Sequence, residues 1–424
     1  MINKKNSITG SKSVINRLLC MALYHKTELS LKNMNLCNDV NEMLFVCKAI
    51  KNKCNKLKIN EAGTALRFIL PYLAFSGNSV CIELGKRLSE RPIQALIDCL
   101  NNAGADIIKK ENIITIKPHR FLSETLYLDT KDSSQFLSSL LMFITIHPKI
   151  KIILNTKKME NGKWGMENVI APFLRDEGVA IHSLSSKPDD RTLQYNDMKL
   201  NTSYIKMTID VLKKFNFEVD ININELSVNP INNVPQKLNI SLDPDYSTAC
   251  YFWFYSFLMN KPFYIKKIGD IHQPDYYFID VLKNIGINFT ERNNKISVIY
   301  RNIHSPFSYH TLDMSDMPDQ IITLAFWVLV SGISNKINIS GCQRLSGKES
   351  DRLHGIIENI KLLGGEATYH DDILTIYPLQ TAPKECELKT YYDHRFALTF
   401  IVLREKYPYL KIDNIDCIKK SYNL

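Results

Sequence analysis

The chain has no Cys-x-x-Cys pair and no group of cysteines and histidines at zinc-ligand spacing, although it carries ten cysteines. This argues against a zinc-held module and against a disulfide framework. Several of the cysteines lie inside apolar runs, where a free thiol behaves as a small hydrophobe, which points to a reducing cytosol. No apolar run reaches the roughly 20 residues needed to cross a bilayer. The most apolar stretches, 251–259 and 321–333, read as buried helices. Residues 1–10 are polar and do not form a secretory leader. A basic block is also missing. The formal net charge is +9, but lysine and arginine are spread along the whole chain. That is the pattern of a solvated surface, not of a nucleic-acid-binding arm. The expectation is a cytoplasmic protein with no membrane segment, no nucleic-acid partner and no metal, whose positive balance suits an anionic metabolite.

What is present is globular composition, 45% hydrophobic and 23% charged, in 424 residues. That length suggests roughly two domains of about 200 residues each. A weak internal repeat runs through it. A helix, a turn and a strand hairpin appear in RPIQALIDCLNNAGADIIKKENIITIKP from Arg91 and return from Tyr204, Pro274 and Lys348. Glycine marks the turn at Gly104, Gly286 and Gly364, and alternating Ile and Val mark the strands. The copy from Tyr204 has Phe215-Asn216 where the glycine would fall.

The other half of the repeat is a polar start followed by an almost wholly apolar helix. Six copies begin near Ser11, Gly63, Ser133, Asp245, Pro318 and Asp393. A helix that is apolar all round is buried. Its free N–H groups and the positive end of its dipole favour an anion at the N-terminus. Ser, Thr and Asp at these starts could serve only as N-caps. That leaves unexplained why Lys12, Arg17, Arg67, His394 and Arg395 lie within two turns of them. A set of cations there implies negative charge brought from outside. Residues 157–200 break the rhythm. MENVIAPFLRDEGVAIH reads as one more helix and glycine turn, and SSKPDDR after it as a loop.

The segments GSKSVINR, AGTALRF, SERPIQALIDCL, SSQFLSSLLM, DPDYSTACYF, MPDQIITLA, GKESDRL, YYDHRFAL and CIKKSY, in that order along nearly the whole chain, resemble the motif series of the EPSP synthases. The resemblance implies an α/β fold of two domains, each of three βαβαββ units around a pseudo-threefold axis, with the substrates in the cleft. One domain would comprise residues 1–9 and 242–424 and the other residues 10–241. The family reaction moves the enolpyruvyl group of phosphoenolpyruvate onto the 5-hydroxyl of shikimate 3-phosphate and releases phosphate, with no cofactor. Its substrates carry two phosphates and two carboxylates, so it needs a dense set of cations. It also needs an acid and a base, and tighter binding of a tetrahedral intermediate than of either substrate.

The resemblance further implies roles for single residues. Asp319 is the base on the 5-hydroxyl. Glu349 and Lys12 are both candidates for delivering the methylene proton, since coupled groups titrate as a set. Shikimate 3-phosphate would be held by Lys12, Ser13, Arg17, Ser133, Ser134, Gln135, Tyr204, Asp319 and Lys348. Phosphoenolpyruvate would be held by Lys12, Gly63, Arg91, Gln135, Arg352, His394, Arg395 and Lys420. A monomer is expected.

The chain departs from the family pattern at Glu61, Phe68, Asn201 and Tyr392, in the extra segment 157–200, and at both ends, which look short. Each assigned residue also has a plainer reading. Asp319 could be only a helix start, and Lys348, Glu349 and Arg352 only a solvated salt-bridge face. Two rival functions are a UDP-sugar enolpyruvyl transferase, whose loop cysteine has no counterpart here (Ser89 lies there), and an inactive anion- or RNA-binding relative.

Overall fold

The six apolar segments all fold as helices. They are Lys12–His25, Gly63–Ala74, Ser134–Ile144, Tyr246–Met259, Ile321–Leu329 and His394–Lys406, and a short 3-10 turn, Pro318–Gln320, leads into the fifth. Nearly every residue of Ile321–Leu329 and of Tyr246–Met259 is buried, as an all-round apolar pattern requires. The computed structural model of the chain describes residues 8–119, 123–129, 134–155, 194–195, 198–199, 203–222, 225–269, 271, 273–299, 311–345 and 348–421.

Strand order shows the repeat directly. In one sheet Lys56–Ile59 runs parallel to Val80–Leu84, which pairs antiparallel with Ile113–Lys117, which in turn pairs with Asp106–Lys110. The same first-second-fourth-third order recurs in Thr125–Asp129, Lys151–Asn155, Glu225–Pro230 and Phe217–Asn222. It recurs again in Thr311–Asp313, Ile337–Ser340, Ile373–Tyr377 and Glu366–His370. A three-stranded sheet of Ile265–Lys266, Lys295–Ile299 and Asn288–Arg292 repeats the last three positions. In each four-stranded sheet an apolar helix joins the parallel pair and an amphipathic helix leads to the hairpin. Each is therefore a βαβαββ unit.

The turn between amphipathic helix and hairpin needs a left-handed residue. Gly104, Gly286 and Gly364 supply it with φ of 104°, 83° and 84°. In the copy that lacks glycine, Asn216 takes φ 66°. Asparagine tolerates this region better than other residues with a side chain, so the turn survives.

The chain divides into two compact units. One comprises residues 13–30 and 39–239, and the other residues 1–12, 31–38 and 240–424. Residues 10–12 and 240–241, expected with the first half, group with the second, as does the segment 31–38. In the first unit the apolar helices are tied by Asn16 Nδ2 donating to Thr64 Oγ1 at 2.7 Å and Ser139 Oγ donating to the Arg67 carbonyl at 2.5 Å. The second tie has a backbone cause. Pro71 lies inside the helix and has no N–H to offer residue 67, so a hydroxyl takes that place. In the second unit Trp327 stacks on Phe254 at 5.1 Å, Phe326 meets Phe400 edge-on at 5.1 Å, and Thr323 bonds Thr399 at 3.2 Å. Full burial of each such ring contributes about 1.5–3 kcal/mol.

No helix among the described residues is long and apolar enough to cross a membrane. All ten cysteines are free, and Cys20, Cys37, Cys47, Cys99, Cys250 and Cys342 are buried. The extra helix and loop expected within 157–193, together with Ser133 and Asn201, lie outside the described residues. From that stretch only Gln194–Tyr195 and Met198–Lys199 are described, as an antiparallel pair.

Candidate active site

In the second unit three helix starts bring acids and bases together around Arg352. Asp351 caps the helix Arg352–Leu362 and so places Arg352 in its first turn, where the side chain is 1% exposed. The guanidinium reaches three carboxylates. Nε donates to Asp393 at 2.8 Å, Nη1 to Asp319 at 2.6 Å and Nη2 to Glu349 at 2.7 Å. Asp393 is itself the N-cap of His394–Lys406, accepting the Arg395 N–H at 3.0 Å. Arg395 Nη2 donates to the other oxygen of Asp319 at 2.8 Å, and Lys348 Nζ stands 3.5 Å from Asp319. Lys420 lies 3.7 Å from Glu349, and Lys12 donates to Ser421 Oγ at 2.6 Å.

Lys348, Glu349 and Arg352 are therefore not a solvated face, and Asp319 is more than a helix start. Burial pushes the Asp319 carboxyl up, but Arg395, Lys348 and Arg352 together outweigh it and hold the group well below the usual carboxylate range. Asp319 raises the Lys348 ammonium, yet burial and the two arginines prevail and set it below its ordinary value. Burial, then Lys12 and Arg395, drive the His394 imidazole far down, so the ring is neutral at physiological pH. Sequence reasoning passed over Asp393, because a capping aspartate is ordinary. Only the fold shows it also holding Arg352.

The first unit gathers a second set. Gly63 opens its helix after an extended Ala62, and no side chain caps it. A Cβ built on Gly63 would lie 2.9 Å from Arg91 Nη1 and 3.1 Å from Arg67 Nη1. Arg67 donates to Gln135 Oε1 at 2.7 Å and to the Pro92 carbonyl at 2.6 Å. Gly63, Arg91 and Gln135, far apart in sequence, thus meet through Arg67. The turn before Gly63 is held by the Glu42 carboxylate, which accepts the N–H groups of Asn60 at 3.1 Å, Glu61 at 3.1 Å and Ala62 at 2.8 Å.

Arg17 is 2% exposed. It donates to Thr208 Oγ1 at 2.7 Å, the Ser13 carbonyl at 2.9 Å and Ser138 Oγ at 3.2 Å. The Phe68 ring lies 5.0 Å from its guanidinium carbon. Burial pushes its pKa down to about 10. Ser13 and Tyr204 flank it, Tyr204 through a long 3.5 Å contact from Arg17 to its carbonyl. Ser134 begins the helix Ser134–Ile144 beside Gln135. Among the described residues, no group of three or more His, Cys, Asp or Glu could hold a metal ion.

Tyr391 and Tyr392, just before Asp393, are both left-handed, with φ of 51° and 56°. The Tyr391 hydroxyl is tethered to Glu358. Tyr392 is 61% exposed and loses little packing if replaced. Tyr392→Asn should therefore raise stability by about 0.5–1 kcal/mol, because asparagine enters this region more cheaply. A urea melt that moves the other way would show that the tyrosine ring holds the turn.

Comparisons with known proteins bear out the resemblance to the EPSP synthases. A family model described as EPSP synthase (3-phosphoshikimate 1-carboxyvinyltransferase) matches residues 51–160 and 183–424. A 3-phosphoshikimate 1-carboxyvinyltransferase of Buchnera aphidicola subsp. Cinara cedri (strain Cc) is 27% identical over 456 residues, covering 99% of this chain and 93% of that protein. Another, from Colwellia psychrerythraea (strain 34H), is 25% identical over 450 residues, covering 99% of this chain and 95% of that one. The solved EPSP synthase of Acinetobacter baumannii shares the fold with a TM-score of 0.64 at 15% identity, covering 98% of this chain and 92% of that one. With the family model matching well over half of its residues, the chain belongs to the EPSP synthase (3-phosphoshikimate 1-carboxyvinyltransferase) family.

Proposed function

We propose that the chain transfers the enolpyruvyl group of phosphoenolpyruvate to the 5-hydroxyl of shikimate 3-phosphate and releases phosphate. It acts as a cytoplasmic monomer, without metal or organic cofactor. The observation that carries this reading is the Asp319 carboxylate, 20% exposed and held by Arg352, Arg395 and Lys348. Asp319 removes the proton of the 5-hydroxyl as that oxygen bonds to C2 of the donor. The donor methylene gains a proton through Glu349, with Lys12 the second proton-transfer group. The tetrahedral adduct then loses phosphate from C2 and a proton from the new methyl group, which restores the double bond.

Held by Arg395, Lys348 and Arg352, Asp319 is a weak base. The donor's phosphate and carboxylate compete for Arg352 and Arg395, with Lys420 and neutral His394 beside them. As the arginines turn to the donor, Asp319 loses its stabilising partners and its pKa rises toward a useful value. Binding thus switches on the base. In the other unit Ser134, Gln135 and Tyr204 serve the shikimate phosphate and ring, with Ser13 and Arg17 on the carboxylate side. Ser133 would join them. Arg91 serves the donor beside Gly63.

Phosphate release should require both substrates and stop when either is omitted. Release with phosphoenolpyruvate alone would overturn the reading. Gly63→Ala tests the donor placement. The added methyl must displace Arg91 or Arg67, so the KM for phosphoenolpyruvate should rise about tenfold or more while that for shikimate 3-phosphate changes little. An unchanged donor KM would remove Gly63 and Arg91 from the donor site.

A further inference from the structure

Bonded to Gln320, the residue after Asp319, is a second carboxylate that the proposed chemistry does not use. Asp275 is 0% exposed and sits in the 3-10 turn Pro274–Tyr277. One of its oxygens, Oδ1, accepts two side-chain hydrogen bonds, from Gln320 Nε2 at 2.5 Å and from Ser247 Oγ at 2.8 Å. Gln320 is also 0% exposed and directly follows Asp319 in the turn Pro318–Gln320. Ser247 belongs to the first turn of Tyr246–Met259, whose first N–H, that of Tyr246, donates to Gln273 Oε1 at 2.6 Å.

Taking a carboxylate wholly out of water is costly, and an apolar contact would tie two helices together with less penalty. The geometry supplies a reason for accepting that cost. In a three-residue turn, adjacent side chains point in different directions, so fixing Gln320 inward fixes the direction of Asp319. The anchor on Ser247 refers that direction to a fully packed helix. We infer that Asp275 is a positioning residue for the reaction: through Gln320 it aims the Asp319 carboxylate at Arg352, Arg395 and Lys348 and at the hydroxyl to be deprotonated. The inference rests on the reading of Asp319 as the base.

The test uses the full chain with three changes: Asp275→Ala, Asp275→Asn, and Asp275→Asn combined with Gln320→Glu. The double change keeps the net charge and reverses the donor and acceptor of the bond to residue 320. Asp275→Ala should lower kcat about 100-fold, the scale expected when a reacting group is misplaced by about 1 Å. The KM for shikimate 3-phosphate should stay within about twofold, since other residues hold that substrate. The acidic limb of the kcat/KM–pH profile, which reports the free enzyme, should rise by roughly one pH unit, because burial and Glu349 continue to oppose ionisation while an Asp319 turned away from Arg395, Lys348 and Arg352 loses part of the attraction that lowers its pKa. The double change should recover kcat to within about tenfold of the parent and bring the limb back.

A loss of activity that only follows the folded fraction, with the limb unmoved, would overturn the inference. So would an unchanged kcat in Asp275→Ala. Should that variant fail to fold, the comparison of Asp275→Asn with the double change carries the same decision. Failure of the underlying reading is seen separately, as near-parental turnover in Asp319→Asn.

Discussion

Asp319→Asn should lower kcat about 100-fold or more, as expected on removal of a general base. The carboxamide keeps the shape of the side chain but cannot accept the hydroxyl proton at neutral pH. It also stops competing for Arg352 and Arg395, which now contact Asp319 at 2.6 and 2.8 Å. The KM for phosphoenolpyruvate should therefore hold steady or fall while kcat collapses, a split that general damage to the fold would not produce. A stability signature accompanies it. The folded-state pKa of Asp319 is depressed, so the parent gains stability above the ordinary carboxylate pKa and loses it as pH falls through the folded value. The variant should lack that part of the acid sensitivity. Glu349→Gln should lower kcat on a similar scale. Near-normal turnover in either variant would strike that residue from the mechanism.

Arg352→Met should destabilise the chain by about 3–5 kcal/mol at neutral pH, the usual cost of removing one partner from a buried ion cluster. The loss is large because Asp393 is 0% exposed and its carboxylate would lose its contact with the guanidinium Nε. Asp319 and Glu349 would lose their closest cation. A urea melt at pH 7 measures the loss, and a deficit below about 1 kcal/mol would mean that the three carboxylates do not depend on the guanidinium. Arg352→Lys keeps the charge and some of the stability. It loses the fork that holds three acids at once, so the KM for phosphoenolpyruvate should rise well before that for shikimate 3-phosphate.

Much of the architecture was legible in the chain. The apolar helices declare themselves by their lack of a polar face, and the amphipathic helices by their 3.6-residue period. Even the copy without glycine was readable in principle, since Asn216 can take the left-handed turn. The site was legible as a set of residue types but not as contacts. Nothing in GKESDRL says that Arg352 is buried against Asp319 and Asp393, because those partners lie 33 and 41 residues away. In sequence Arg17 is one of the cations near the start of an apolar helix, and only the resemblance gives it a ligand. The fold buries it among Thr208, Ser138 and the Ser13 carbonyl. Asp275, in a 3-10 turn, and Glu42, within the helix Asn38–Lys51, gave no signal, since a single acid in such an element usually faces water. Local periodicity reports which side of an element is apolar. It does not report which distant polar group waits on the other side.

The threading of the chain has a consequence for how the protein is made. The unit that holds Asp319 and Arg352 takes in residues 1–12 and 31–38 as well as 240–424. Those first two pieces leave the ribosome long before most of their neighbours exist. The unit of residues 13–30 and 39–239 has its whole sequence available earlier and can fold while synthesis continues. Until the last helix emerges, the early pieces wait without a core to join. The unit that holds the acid–base cluster is therefore the late folder, and its completion requires joining segments more than 200 residues apart, a slow closure by topology. No single cut can separate two intact units either. Cleavage between residues 239 and 240 strands 1–12 and 31–38 on the wrong fragment. The two pieces should regain activity only when mixed, and neither should refold to a native acid–base cluster alone.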